Sequence, residues 1–536
     1  SSVCYAHPYF HAAKRRNCLP PETDILILNS GRPKILGIKE VYDSINAKED
    51  LVDDYGTLEK KVNRLKTISF NQESNRFEER KIKSIIKTPF SRSHLIEIRT
   101  KSGRNFLSSG EHRIIAYSNG ELKAKKVIEL TKDDKLIVPE KIDVREKDLG
   151  EIDVLKEFWR LELSNEMMVR DTRDFFKNLL NRLGGLKEAS KKLKINKKTL
   201  SNYIHRDSIP LPLLKDIFRL CNEEFTSIPK NCKLGIKRDK TSIPRIINVN
   251  KEFMRTMGYY LSEGYLRGGD RCYQTNLAFS EEEMLEDYII NIKKIFDIDP
   301  YVGKNVLTIS NKLVYHLFKD VLCTGENAHN KRVPTLFFAL PKEKIKELLK
   351  AYFSGDGSVE KERLHVTCSS VNARLLRDIG FLLLRFGIFY RLREGKREAS
   401  GSVKEFYLKK RLKCSKSENR LHIEEPLPEF KSYSISIRSK YARKFYDEIG
   451  FSLSRKQKAL KSVLSKEGKV RVEKFKNFIL DGVKKINISN IPSGHLYDIE
   501  VEEDHNFLMN DFILSSNCDG DEDCVMLLLD GLINFS

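Results

Sequence analysis

Two cysteines 500 positions apart, Cys18 and Cys518, carry the reactive chemistry of this chain, and the second follows directly on an asparagine, Asn517. A thiolate takes over an acyl group as a thioester. An asparagine side-chain amide attacks its own main-chain carbonyl and cuts the chain behind it. If Cys18 attacks the carbonyl of Asn17 and the acyl group passes to Cys518, cyclisation of Asn517 releases Cys18–Asn517, and Asn17 is joined to Cys518. Across that seam the sequence reads His7-Pro8-Tyr9-Phe10-His11-Ala12-Ala13-Lys14-Arg15-Arg16-Asn17 and continues Cys518-Asp519-Gly520-Asp521-Glu522-Asp523, as if uninterrupted. The residues predict protein splicing. Cys18 and Cys518 must then reach bonding distance, so the segments 18–140 and about 484–517 must form one domain.

Short strand-like runs dominate the first of these segments: residues 24–28, Lys66–Phe70, Lys81–Lys87, His94–Lys101 and Glu121–Val127, punctuated by Ser102-Gly103 and Asn119-Gly120. They predict an all-β unit. Ser109-Gly110-Glu111-His112 follows the run at Arg104–Leu107 and offers an imidazole. A lone histidine in a β unit is more often a surface or packing residue than a catalyst. Across the whole chain of 536 residues the formal net charge is +21, which favours a polyanionic partner such as nucleic acid, or else reflects a lysine-rich, heat-adapted surface. No run of about 18 apolar residues is present to span a membrane. Ten scattered cysteines form no C-x-x-C pair and no zinc spacing, which predicts a cytoplasmic chain without a disulfide framework. The N-terminus has no initiator Met or signal peptide, as expected of a fragment of a longer protein.

The first segment resembles the amino-terminal half of an intein: Cys18, the Ser109-x-x-His112 motif about ninety residues later, and the run Val127-Ile128-Glu129-Leu130-Thr131-Lys132-Asp133-Asp134. Leu496-Tyr497-Asp498-Ile499-Glu500-Val501-Glu502-Glu503-Asp504-His505-Asn506-Phe507-Leu508 is similar to the carboxy-terminal block. The resemblance implies the all-β HINT fold, split in sequence, and no cofactor for splicing. It also implies that His112 polarises the Asn17–Cys18 bond with Ser109 holding it, that Asp498 assists thioester formation and transfer, and that His505 assists Asn517. Ser516 stands where the family commonly has histidine, which predicts a slow last step.

From about Ile152 the periodicity becomes helical. Gly185 to Ile204 has the spacing of a helix-turn-helix, with Ser190, Leu193, Ile195, Leu200 and Ile204 inward and Asn196 as a cap. Lys197, Lys198, Ser201, Asn202 and Tyr203 would then face a DNA groove; the alternative is a basic helical hairpin. Two further helix-like stretches, Phe253–Gly264 and Ile345–Gly357, each carry small residues and end in a carboxylate followed by glycine. Close packing would set Glu263 beside Asp356, and paired carboxylates favour divalent cations.

These stretches resemble the two motifs of single-chain LAGLIDADG homing endonucleases, over about Val249 to Leu464, an α+β domain inserted in the splicing unit. The resemblance implies Mg²⁺ held by Glu263 and Asp356, cleavage of both strands of a long asymmetric double-stranded DNA site in the uninterrupted host gene, and basic residues Lys331 and Lys456 beside the acids. A DNA-binding protein that does not cut is the alternative. The joined flank Arg16-Asn17-Cys518-Asp519-Gly520-Asp521 resembles the N-x-D-x-D motif of the large subunit of archaeal D-family DNA polymerases, which implies metal binding by Asn17, Asp519 and Asp521 and a host enzyme that pairs with a small subunit. An acidic loop is the plainer alternative. The expected division is 1–17 and 518–536 as flanks, 18–140 and 467–517 for splicing, 141–248 as a basic helical insert and 249–466 as the endonuclease, with the excised product a monomer.

Overall fold

The computed structural model describes residues 19–52, 56–90, 94–269, 272–398, 429–468, 472–490 and 494–517. Asn17, Cys18, Cys518, Asp519 and Asp521 lie outside the described residues. The chain forms two compact units: the described parts of Ser1–Lys147, Val359–Glu448 and Leu460–Ser536, and those of Asp148–Ser358 and Ile449–Ala459. Among the described residues no helix is long and apolar enough to cross a membrane.

Strands from both ends of the sequence build the first unit. Asp24–Asn29 is buried along Asp24–Leu28, as its DILIL run predicts for a strand covered on both faces. It pairs with Arg32–Gly37 and Leu65–Asn71, and Leu65–Asn71 pairs with Arg76–Phe90. The C-terminal strands are sewn among them. Asn506–Met509 joins Asp24–Asn29 through Ile25 and Met509, and its hairpin partner Ile513–Ser516 joins Arg113–Ser118 through Ser515 and Ile114. Phe478–Asn490 bridges Lys135–Pro139 and His94–Thr100, while Gly494–Val501 runs along Arg76–Phe90. The described part of the segment 18–140, expected to be all-β, is mostly strand but includes the helix Ile38–Ser44, and the turn at Asn119-Gly120, with φ of 52° and 91°, has the left-handed pair that a tight hairpin needs.

Residues 359–448 contribute a further sheet to this unit, with Glu429–Arg438 between His365–Ser370 and Arg391–Glu398, packed against helices Ala373–Arg385 and Lys440–Glu448. Main-chain bonds tie these residues to the N-terminal part of the unit: Leu392 N–H donates to Ser102 O at 2.7 Å and Ile142 N–H to Leu384 O at 3.1 Å. Gly103, with φ of 89°, permits the first join, because a Cβ there would lie 1.9 Å from Leu392 O.

In the second unit the insert expected to be helical contains helices Arg173–Arg182, Gly185–Leu193, Lys197–Arg206 and Leu211–Cys221, but also a four-stranded sheet. Its strands, Ser208–Pro210, Met167–Arg170, Lys233–Ile236 and Ser242–Pro244, are three or four residues long, too short to show a period of two in sequence. Helices Lys251–Glu263 and Lys342–Asp356 pack against each other along their length. Small residues permit this. A Cβ on Gly258 would lie 2.2 Å from Leu348 O and 2.8 Å from Ala351 Cβ, and one on Gly355 would lie 2.2 Å from Ser262 Oγ.

Replacing Gly258 with Val forces these helices apart. The expected loss is about 1–3 kcal/mol, the usual cost of overpacking, read as a lower denaturation midpoint of this unit; an unchanged midpoint would refute the close-approach argument.

Candidate functional site

Sheet pairing brings the residues next to both bonds expected to break into one framework. Leu19, directly after Cys18, bonds to Tyr497 in both directions, N–H to O at 2.7 Å and O from N–H at 2.8 Å. Asp498 is the next residue along that strand, is 1% exposed, and its Oδ1 accepts from the Ile499 N–H at 2.8 Å. At the other end Asn517, also 1% exposed, donates its N–H to His505 O at 2.9 Å. Its side-chain amide, oriented to satisfy both ends, accepts from the Val501 N–H at 3.1 Å and donates to His505 O.

His112 is fully buried, and its Nε2 lies 2.7 Å from Ser515 Oγ. Ser515 Oγ donates to Ser516 O at 3.3 Å, so a chain of polar contacts runs from the imidazole to the peptide before Asn517. Burial pushes the His112 imidazole down to about 3, so it is neutral at pH 7. Ser109 accepts the His112 N–H on its main-chain oxygen at 3.3 Å. Ser516 Oγ lies 3.4 Å from both the His505 and the Asn517 carbonyl oxygens.

The second cluster is polar and nearly two-fold repeated; Lys331 is buried, and Glu263, Asp356 and Lys456 are half-buried. Glu263 and Asp356 end their helices, and Gly264 and Gly357 turn the chain at once into strands. A Cβ at either glycine would strike its own helix, 2.6 Å from Tyr260 O and 2.3 Å from Phe353 O respectively. Lys331 Nζ donates to Ser262 O at 2.9 Å; Lys456 Nζ donates to Ser354 O at 2.6 Å and Gly355 O at 3.0 Å. Each lysine therefore anchors the peptide beside one carboxylate. Burial, then the charge of Glu263, raises the Asp356 carboxyl, with Lys331 and Lys456 opposing; Glu263 is raised by burial and lowered by the same two lysines. Burial lowers both ammonium groups, against the pull of the acids. Among the described residues no group of three or more His, Cys, Asp or Glu gathers around a point.

The helix pair Gly185–Leu193 and Lys197–Arg206 is joined through Lys194, at φ of 54° in the left-handed region, and Asn196 Oδ1 caps the second helix by accepting from the Lys198 N–H at 2.8 Å. Leu200 is buried; Lys197, Lys198 and Asn202 are exposed, and Ser201 and Tyr203 are half-buried.

Sequence reasoning missed Ser515, whose contact with His112 depends on strand register, and Asn506, which is completely buried. Asn506 Oδ1 accepts from Ser69 Oγ at 2.9 Å and Phe70 N at 2.7 Å, and its Nδ2 donates to Phe70 O at 2.9 Å and Asp504 O at 2.6 Å. One signal was available: a lone amide before the apolar run Phe507–Met509.

Comparison with known proteins gives two family matches: the intein splicing domain over residues 26–517, and the DNA polymerase II large subunit DP2, catalytic domain, over residues 1–32 and 513–536. The DNA polymerase II large subunit of Thermococcus kodakarensis is 34% identical across 100% of this chain, and that of Haloquadratum walsbyi is 26% identical across 100%. The chain spans 28% and 25% of the length of these two relatives. Among solved structures, the Pab PolII intein is 28% identical, covering 25% of this chain and 70% of that one, with a TM-score of 0.22. With a match that runs from the first buried strand to Asn517, the chain belongs to the intein splicing domain family.

Proposed function

We propose that this intein excises Cys18–Asn517 from a DNA polymerase II large subunit and also cuts DNA as a homing endonuclease. In splicing, Cys18 Sγ attacks the Asn17 carbonyl carbon and the Asn17–Cys18 C–N bond breaks, leaving a thioester and a protonated amine. Cys518 Sγ takes the acyl group and frees the Cys18 thiol, Asn517 Nδ2 attacks its own carbonyl carbon and breaks the bond to Cys518 to leave a succinimide, and the freed Cys518 amine displaces its own sulfur to recover the acyl group as a peptide. His112, held through the Ser109 main chain, serves the first bond, Asp498 the thioester, and His505 the cyclisation. The observation that carries this reading is that Leu19 is tied to Tyr497, beside Asp498, while Asn517 is tied to His505 within the same sheet. A hydrogen bond from Asn517 Nδ2 to the His505 carbonyl would make that nitrogen a better nucleophile. The Ser516 hydroxyl beside the Asn517 carbonyl oxygen offers a donor where the family commonly has histidine. Ligation would place Asn17, Asp519 and Asp521 together as metal ligands of the host polymerase, which works with a small subunit.

For the endonuclease, the residues fit a Mg²⁺ site. Two carboxylates raised by burial, Asp356 also by the charge of Glu263, favour a cation, and Mg²⁺ commonly takes one or two protein carboxylates and completes its shell with water and phosphate. Glu263 and Asp356 would hold it. When bound, the metal supplies an activated water and charge stabilisation at phosphorus. Lys331 and Lys456 hold the two acidic turns by their main-chain oxygens and would add positive charge for a phosphodiester. Lys197, Lys198, Ser201, Asn202 and Tyr203 would contact double-stranded DNA.

Mass spectrometry of the 536-residue precursor before and after warming tests splicing. Masses for Cys18–Asn517 and for the joined flanks are expected, and C18A or N517A should abolish the ligated product; a precursor mass that persists in the unaltered protein excludes the reading. DNA containing the uninterrupted host gene should be cut with Mg²⁺ present, and E263Q or D356N should lower cutting by about a hundredfold or more while gel-shift binding persists. Binding without cutting by the unaltered protein would select the DNA-binding alternative.

The buried His112 also sets a pH dependence. Its folded value of about 3 lies below the ordinary 6.5, so its neutral form contributes stability fully above pH 6.5, and that contribution is lost as pH falls toward 3. In a C18A/N517A background, the decline of the unfolding midpoint over this range should be shallower for His112→Gln. Equal slopes would mean that the imidazole is already charged in the folded state.

A further inference from the structure

The turn Asn510-Asp511-Phe512 joins the two C-terminal strands, and all three residues sit at positive φ, 26°, 29° and 68°. None is glycine, so the surroundings must impose this backbone. Two supports come from the splicing strands. Asn510 exchanges bonds with Asp24, N–H to O at 2.8 Å and Oδ1 from N–H at 2.9 Å, and Arg104 Nε donates to Asp511 O at 3.0 Å. Two more come from helix Ala373–Arg385, within the stretch that resembles the endonuclease. Arg377 Nε donates to Asp511 Oδ1 at 3.0 Å while its NH1 pairs with Asp24, and the Phe381 ring packs on Phe512 with centroids 5.9 Å apart. Asp24 and Asp511 are 3% and 6% exposed, so water does little to screen the pairs.

We propose that Arg377 is a positioning residue for the last splicing step. By bridging Asp24 and Asp511 it fixes the turn of the hairpin Asn506–Met509 and Ile513–Ser516, whose open end carries His505 and Asn517. The strands are four residues each, so the turn lies about 13 Å from Asn517 at the usual rise per residue, and a paired ribbon that short transmits a tilt of its turn to its open end. The insert is therefore part of the splicing machinery, supplying the side-chain cation that bridges the Asp24 and Asp511 carboxylates, while Arg104 of the splicing segment holds the Asp511 main chain. The inference rests on the assignment of Asn517 to cyclisation.

The two cleavages of the full-length precursor separate the effects. Added thiol reports the Cys18 thioester by releasing the N-terminal flank, and release of the C-terminal flank reports cyclisation. R377A should slow C-terminal release about tenfold or more, as small misplacements of reacting groups do, with thiol-induced release within about twofold of the unaltered protein. R377K, which keeps the charge, should recover part of the rate. D511N should show the same split if R377A fails to fold, and R377A/D511N should be no slower than R377A. Equal slowing of both cleavages, or of neither, overturns the proposal. If N517A still releases the C-terminal flank, the assignment of the last step fails, independently of Arg377.

Discussion

A peptide bond can be exchanged between residues 500 positions apart only if both ends are held in one frame, and here that frame is hydrogen-bonded sheet. The C-terminal hairpin lies between Asp24–Asn29 and Arg113–Ser118, strands from the other end of the chain. Its two strands pair with each other and with those outer strands, and burying their backbone groups unpaired would be costly. Phe507–Met509 and Ile513–Leu514 are almost completely buried in the same place. Hydrogen bonding and burial therefore act together to close the unit around the residues that react.

That closure dictates the chemistry of its interior. His112 is neutral because no water reaches it, and its contact with Ser515 exists because Ile114 pairs with Ser515. Asn506 uses its amide to tie the C-terminal strands to Ser69 and Phe70, so a single polar group is spent on holding the frame and not on reaction. Polar residues inside a sheet core serve either purpose, and only their partners distinguish the two.

The second unit meets a similar demand by another route. Two helices bring carboxylates together because Gly258 and Gly355 remove the side chains that would separate them, and the abrupt turns at Gly264 and Gly357 fix where the carboxylates end. Lys331 and Lys456 repeat one arrangement at two places, each gripping the peptide beside an acid. The positive charge of both lysines partly compensates the repulsion between the acids.

Residue types alone specified a good deal. Cys18, Asn517 and Cys518 carry a reactivity that needs no fold to recognise, and the alternating runs before residue 140 mark strands because a half-buried strand must alternate. The paired motif helices were legible for a similar reason, since a carboxylate followed by glycine at the end of an apolar helix is a local pattern. Tertiary structure decided what depends on distant partners: the contact of His112 with Ser515, the buried role of Asn506, the short strands within the helical insert and the bridge from Arg377 to Asp24 and Asp511. Strand register and long-range ion pairs are set by the packing of whole segments, and no local period encodes which residue will face which.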